Sequence, residues 1–162
     1  ADGTGTIALQ NQLSGMTDAS MPVGSVLQIV QYSDIDVDGH METTSTSYVA
    51  SGITQTITPK RNNSKIIVQF NTAMAESIAT NAELYGKIKI NGTDWSGLGQ
   101  YALGYQYQPT GRYYGFYFTG NYTVSSLSAL TFEAWFKSHG GGNVRFAHDK
   151  SSVAMTLIEV AQ

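Results

Sequence analysis

The residues that most resemble a ligand set are the carboxylates of an acidic segment in the first third of the chain. Asp34, Asp36 and Asp38 alternate with apolar residues and precede a glycine, as in the first half of a calcium-binding EF-hand loop. Such a loop needs a bidentate glutamate at its twelfth position, but Ser45 stands there, and no helical pattern flanks the segment. We therefore expect a solvated acidic turn and no metal site, with the three aspartates as weak candidates.

Signatures of catalysis are absent from the sequence. It contains no GxSxG nucleophile elbow, no HExxH helix and no phosphate-binding P-loop. His40, His139 and His148 lack the spacing of metal ligands. Glycoside hydrolysis needs two carboxyl groups at one glycosidic bond, and the sequence gives no reason to pair any two of the chain's carboxylates. We expect that the protein is not an enzyme and has no cofactor; a polysaccharide depolymerase is the enzymatic alternative.

Tyrosine is the chemistry-bearing residue that the sequence concentrates. The chain holds 10 Tyr, 6 Phe and 2 Trp, and more than half of these lie between positions 95 and 122. A tyrosine offers an apolar ring face and a hydroxyl at low entropic cost, which suits contact with sugars or proteins. The candidate receptor-binding residues are Tyr101, Tyr105, Tyr107, Tyr113 and Tyr114.

Two kinds of element must position these tyrosines. Residues 96–111 form a Gly/Gln/Pro-rich loop, whose three tyrosines are hard to bury; packing at a subunit interface is the alternative to receptor binding. Residues 112–122 alternate as a strand, with Phe116 and Phe118 expected in the core. Tyr113 and Tyr117 then share the opposite face.

The strongest strand pattern lies between residues 43 and 75. Residues 46–58 are rich in Thr and Ile and end at Pro59, because proline cannot donate to a sheet ladder. Residues 65–75 alternate apolar and polar side chains, the period of a half-buried strand. The loop between the two runs is too short for a parallel crossover, so we expect them to pair antiparallel.

Further strands follow at short spacing, and no window shows helical periodicity. Residues 23–32 are apolar enough to predict a strand buried on both faces, and Asn91-Gly92 predicts a tight turn. The other expected strands are residues 84–90, 127–137, 144–148 and 153–160. The fold class is therefore all-β, an antiparallel two-sheet β-sandwich, with a jelly roll as the expected topology.

Length and composition narrow the functional classes. A chain of 162 residues suits one domain, and its formal net charge of -3 argues against nucleic acid, whose binders present basic stripes. The chain has no cysteine, which removes disulfides and thiolate chemistry. No apolar run reaches the roughly 18 residues of a transmembrane helix, so we expect no membrane insertion.

Four segments carry a resemblance to a known family. They read PVGSVLQ, TTSTSYVASGITQTITP, SKIIVQF and SSVAMTLIEVAQ, at residues 22–28, 43–59, 64–70 and 151–162. In content and order they resemble the C-terminal domain of bacteriophage tail-fibre and related virion appendage proteins. The four segments are spread over residues 22–162, from one end to the other. What is similar is the sequence of predicted strands, not a catalytic signature.

The resemblance implies that residues 21–162 are the receptor-binding tip domain of a fibre. Residues 1–20, rich in Gly and Thr, are then a linker or the end of a shaft, and the chain is a piece of a longer protein. It also implies a homotrimer on the virion, outside the cell, that attaches to a bacterial cell-surface glycan or protein. The alternative is a trimerisation, capping or decoration domain without a receptor, which would bury the tyrosines between subunits.

Overall fold

A computed structural model describes residues 17, 20–34, 41–79, 82–95, 105–107, 113–148 and 150–162, with only the backbone described for 105–107. The expected linker or shaft, residues 1–20, lies almost wholly outside these ranges. Among the described residues every regular element is a β-strand. Within the same ranges there is accordingly no helix with the length and apolarity that crossing a membrane requires.

The described residues form eleven β-strands. In chain order they are β1 (Val26–Asp34), β2 (Met41–Thr43), β3 (Val49–Ile57), β4 (Lys65–Ser77), β5 (Glu83–Ile90), β6 (Thr93–Asp94), β7 (Tyr105–Tyr107), β8 (Tyr113–Thr123), β9 (Leu130–His139), β10 (Val144–Ala147) and β11 (Val153–Val160).

The strands form two antiparallel sheets, which confirms the predicted all-β, two-sheet architecture. In the first sheet, the long strand β4 pairs with β8 along one edge and with β11 and then β10 along the other. β1 pairs with β11, and β2 with β10. In the second sheet the order is β3-β9-β5, and β6 and β7 pair with successive parts of the far edge of β5.

The predicted pairing of the two strands between residues 43 and 75 is wrong. β3 pairs with β9 in the second sheet, whereas β4 lies at the centre of the first. The chain between them crosses from one sheet to the other and is fastened to β11 by the carboxylate of Glu159. That carboxylate accepts hydrogen bonds from the backbone N–H groups of Lys60 and Arg61 and from the Ser64 hydroxyl.

The core lies between the facing sides of the two sheets. Phe146 of β10 stacks on Phe70 of β4, with ring centroids 5.4 Å apart, and on Phe136 of the second sheet, at 5.1 Å. Trp95 makes edge-on contacts to Phe118 and to Phe132, again one from each sheet. Aromatic pairs of this kind, in the core and at its margin, fix how the sheets pack and leave their outer faces for other roles.

β1 differs from the prediction in one respect that matters for the surface. It begins at Val26, and it is not buried on both faces, because the side chain of Ile29 is 60% exposed. Val30 and Tyr32 pack against the core, so only the inward side of β1 is covered. The outer face of the first sheet therefore begins at this edge strand.

Candidate functional site

The outer face of the first sheet carries side chains in ordered rows across β1, β11, β4 and β8. The strands are paired in register, so outward residues of neighbouring strands lie side by side. The rows are Ser33, Ala154, Asn71 and Tyr117; Gln31, Thr156, Gln69 and Thr119; and Ile29, Ile158, Ile67 and Asn121. All of these side chains are uncharged, and each is an amide, a hydroxyl or an apolar group. The row beyond the third, formed by Val26, Val160, Lys65 and Thr123, contains a lysine.

An open groove of about 210 Å³ lies over the first two rows. Its lining runs from Gln31 on β1 to Tyr117 on β8, across four strands, or about 14 Å at the usual spacing of paired strands. We call it the amide groove, because Gln31, Gln69 and Asn71 supply its wall. Each amide can both donate and accept hydrogen bonds.

Tyr117 is the most exposed large aromatic side chain among the described residues, with 77% of its surface open to solvent. Its ring lies over Gly115, two residues earlier on the same face of β8. A Cβ atom at Gly115 would lie 2.7 Å from Cε2 and 2.9 Å from the hydroxyl oxygen of Tyr117. The missing side chain at Gly115 therefore lets the ring rest on the strand beside the amide groove.

The groove is also partly organised before any ligand arrives. Gln31 Nε2 donates a hydrogen bond to Thr156 Oγ1 at 3.0 Å, which orients the amide at the β1 end. Gln69, Asn71 and Thr119 point outward from β4 and β8 and are exposed. An aromatic ring next to exposed amides and hydroxyls provides an apolar platform and neutral hydrogen-bonding groups at one place.

Tyr113 and Tyr114, both predicted as site residues, lie on opposite faces of β8. Tyr113 is 49% exposed on the outer face, and its ring packs edge-on against His148 with centroids 4.9 Å apart. Tyr114 lies on the inward side, and its hydroxyl is buried without a hydrogen-bond partner among the described residues. The geometry thus favours Tyr113 and not Tyr114 for contact with a receptor.

The other predicted tyrosines belong to the segment between β6 and β8. Tyr101 lies outside the described residues. Tyr105 and Tyr107 were expected in a loop, but their backbone forms β7, opposite Tyr85 and Glu83 of β5. The backbone groups of the segment pair with the free edge of β5 there, which a loop prediction from Gly, Gln and Pro content misses.

The acidic segment joins β1 to β2. Asp34 is the last residue of β1, opposite Val153, while Asp36 and Asp38 lie outside the described residues. Among the residues that the structure does describe, no three His, Asp or Glu side chains cluster as metal ligands would. The expectation of a solvated acidic turn stays a prediction.

The outer face of the second sheet is built differently. Lysine ammonium groups lie over aromatic rings: Lys87 is 4.0 Å from the ring centroid of Tyr48, and Lys89 is 3.8 Å from that of Trp135. Lys87 also forms an ion pair with Asp94 at 2.7 Å. These rings are already covered by cations from the same sheet, so this face offers less free aromatic surface than the first.

Sequence reasoning missed the amide groove although its residues were visible in the alternation. Gln69 and Asn71 alternate with the apolar residues of their strand, and Tyr117 alternates with Phe116 and Phe118. What the pattern lacked was the order of the strands, which brings residues distant in sequence into one row. No protein-family model matches the chain, and no curated protein matches it.

Proposed function

We propose that the protein is a carbohydrate-binding attachment domain, the distal domain of a phage tail fibre or a related virion appendage that binds bacterial surface polysaccharide. The observation that carries this proposal is the exposed ring of Tyr117, resting on Gly115 at the edge of an uncharged amide groove. The sequence resemblance to fibre tips supplies the biological setting.

The chemistry of the groove fits a sugar. A pyranose ring presents C–H groups on its faces and hydroxyls around its rim, so it needs an apolar platform with hydrogen-bonding groups beside it. Tyr117 supplies the platform, and Gln31, Gln69 and Asn71 supply donors and acceptors. No binding energy is spent on removing a charged side chain from water, because the rows of the groove carry none.

A single groove of this kind binds weakly. An open, shallow site with a few neutral hydrogen bonds is expected to have a dissociation constant near the millimolar range, about −4 kcal/mol. Three grooves in a homotrimer, and several fibres on one particle, would raise the avidity by ~10²–10⁴. Attachment through many weak contacts suits a virion, which presents copies of one domain outside the cell.

We also propose that the sandwich is a jelly roll. The order β1-β11-β4-β8 in one sheet and β3-β9-β5-β7 in the other supports this. When the short strands β2, β6 and β10 are set aside, strands that follow one another in the chain mostly lie in different sheets. A jelly roll distributes eight strands between two sheets in this manner, as two Greek keys. It brings β1 and β8, from distant parts of the sequence, to opposite edges of one face.

A structural role without a receptor remains the second candidate, and one observation favours it. Val23, just before β1, and Val26 and Ile29 within it are exposed apolar side chains that a neighbouring subunit of a trimer would cover. The two functions are compatible in one molecule when the contact is centred on Val23 and Val26, because the groove meets β1 only at Gln31, five residues beyond Val26, or about 15 Å along the strand. The decisive question is whether Tyr117 is used for binding.

The test is adsorption of the purified protein to host bacteria, with and without their surface polysaccharide. We expect Tyr117→Ala to lose most of the adsorption while unfolding at nearly the same temperature as the parent protein. Leu127→Ala is the matched control, since it removes another exposed apolar side chain from the β8–β9 connection. Normal adsorption of Tyr117→Ala would reject the groove as the receptor site, and shortening of the polysaccharide would reveal a depolymerase.

A further inference from the structure

We infer that the ligand is an extended neutral oligosaccharide lying along β8, with Tyr113 as a second aromatic contact beyond the amide groove. This inference rests on the proposed function and adds the length and charge class of the ligand. Tyr113 and Tyr117 lie on the same outer face of β8, four residues apart, or about 13 Å between Cα atoms. That span is the reach of a short oligosaccharide, not of a single sugar ring.

No other side chain separates the two tyrosines. The intervening outward position is Gly115, and the ring of Tyr117 lies over it, on the side of Tyr113. Bulky outward side chains at this position would separate the two aromatic contacts into independent sites. A ligand leaving Tyr117 along the strand therefore meets Tyr113 next.

The ring of Tyr113 is held in place before binding. It packs edge-on against His148, at 86° between the ring planes, and its hydroxyl oxygen lies 3.4 Å from His148 Nε2. His148 is itself anchored to β4, because its backbone N–H donates to the carbonyl oxygen of Met74 at 3.0 Å. A ring fixed in this way loses little conformational freedom on binding a ligand.

The charge around Tyr113 favours a ligand without acidic groups. In the sheet Tyr113 lies opposite Glu76. Arg145, on the next strand, forms ion pairs at 3.1 Å with Glu76 and with Glu42. The guanidinium is thus engaged by two carboxylates and is not available to attract a uronate or a sulfate. Together with the uncharged rows of the groove, this indicates a neutral sugar chain.

The experiment measures binding to an immobilised panel of neutral oligosaccharides, from monosaccharides to hexasaccharides, together with uronate-bearing and sulfated chains of matched length. We expect neutral chains to bind better than acidic ones, and affinity to rise about tenfold between the shortest and the longest neutral ligands that bind. Tyr113→Ala should remove this gain with length, so that long and short neutral chains bind the variant with similar affinity. Tyr113→Phe, which keeps the ring, should retain the gain.

His148→Ala provides a second route if Tyr113→Ala fails to fold. It leaves Tyr113 in place but frees its ring, so it should reduce the gain with length. Equal affinity for short and long chains, or tighter binding of the acidic chains, would overturn the inference. If binding still depended on Tyr117 in that case, the proposed function would stand. Binding of no sugar on the panel, or no effect of Tyr117→Ala on any of them, would overturn the proposed function itself.

Discussion

At the scale of single residues, Gly115 determines where the ring of Tyr117 lies. Glycine in a strand interior costs about 0.5–1 kcal/mol relative to alanine, because it gives up more conformational freedom on folding. Its backbone is not in the left-handed region, so a side chain there would meet no backbone strain. Glycine matters here because the ring of Tyr117 occupies the space that a side chain at this position would fill.

The first prediction follows from this contact. Gly115→Ala should leave the protein as stable as the parent, or more stable by up to about 1 kcal/mol, because the backbone accepts alanine. The new Cβ would displace the Tyr117 ring, so adsorption to host cells should fall. Thermal unfolding and adsorption measured on the same sample check both parts. Full adsorption with the ring displaced would mean that its position on the strand is unimportant.

Glu159 is the second residue with an influence beyond its own strand. It is completely buried, and its carboxylate also accepts a hydrogen bond from Gln28 Nε2 at 2.6 Å, in addition to those from the connection between β3 and β4. Burial by itself raises the pKa of this carboxyl. The donors Ser64, Gln28, Lys60 and Arg61 more than offset burial, so the pKa of Glu159 lies below its ordinary value of 4.5.

We predict that Glu159→Gln lowers the free energy of unfolding by about 2–4 kcal/mol, because an amide NH₂ would face donors that now meet a carboxylate oxygen. Urea denaturation at neutral pH measures the difference. Glu133→Gln is a control for the change in charge, as Glu133 lies on the outer face of the second sheet. A loss below about 1 kcal/mol would show that the connection is held by other contacts.

The same carboxylate predicts how stability depends on pH. Its pKa is lower in the folded than in the unfolded state, so its contribution is complete above the unfolded value. That contribution is lost as the pH falls below about 4.5, toward the lowered pKa of the folded state. Stability curves of the parent and Glu159→Gln should therefore converge in acid. Parallel curves down to pH 2 would contradict a lowered pKa of Glu159 in the folded state.

At the scale of elements, the alternation of side chains predicted most strands and their inward faces. Ile66, Val68 and Phe70 are buried as expected, and the closing strand runs from Val153 to Val160 as expected. Asn91 and Gly92 both have positive φ, as the predicted turn requires. These features depend on residues near one another in the chain, which is why the sequence alone could predict them.

The partners of the strands could not be predicted in the same way. β3 and β4 are adjacent in sequence, yet β4 finds its contacts far along the chain, where Phe70 stacks on Phe146. An alternating pattern says which side of a strand is apolar but not which other apolar side it meets. The amide groove was missed for this reason, since its rows combine four strands from both ends of the sequence.

Phe146 is the residue that tests this long-range packing. It lies on β10, a strand of four residues, and stacks between rings of both sheets. We predict that Phe146→Ala costs about 3–5 kcal/mol, through lost burial and the cavity left behind. Phe146→Leu, which fills most of the space, should cost clearly less. Chemical denaturation of both variants checks this, and equal small losses would mean that the stack does not hold the sheets together.

At the scale of the whole molecule, the two edges of the first sheet present different surfaces. The β1 end exposes Val23, Val26 and Ile29, whereas β8 exposes Tyr113 and Tyr117. Contacts between subunits at Val23 and Val26 would leave the groove, which meets β1 at Gln31, free to face a cell. A trimer built in this way carries three grooves, and its attachment depends on both edges for different reasons.

The last prediction separates these two dependences. Light scattering at micromolar concentration should give the mass of three 17.5 kDa chains. Val26→Asp places a charge among the exposed apolar residues and should yield single chains, because an unpaired buried charge opposes association. Each chain would still bind a short oligosaccharide as the parent does, but adsorption to cells should fall by ~10²–10⁴ as avidity is lost. Val26→Ala, which keeps the surface apolar, is the matched control and should remain trimeric. A parent protein with the mass of one chain would remove the trimer, and a monomeric variant that still adsorbs fully would show that one groove per molecule suffices.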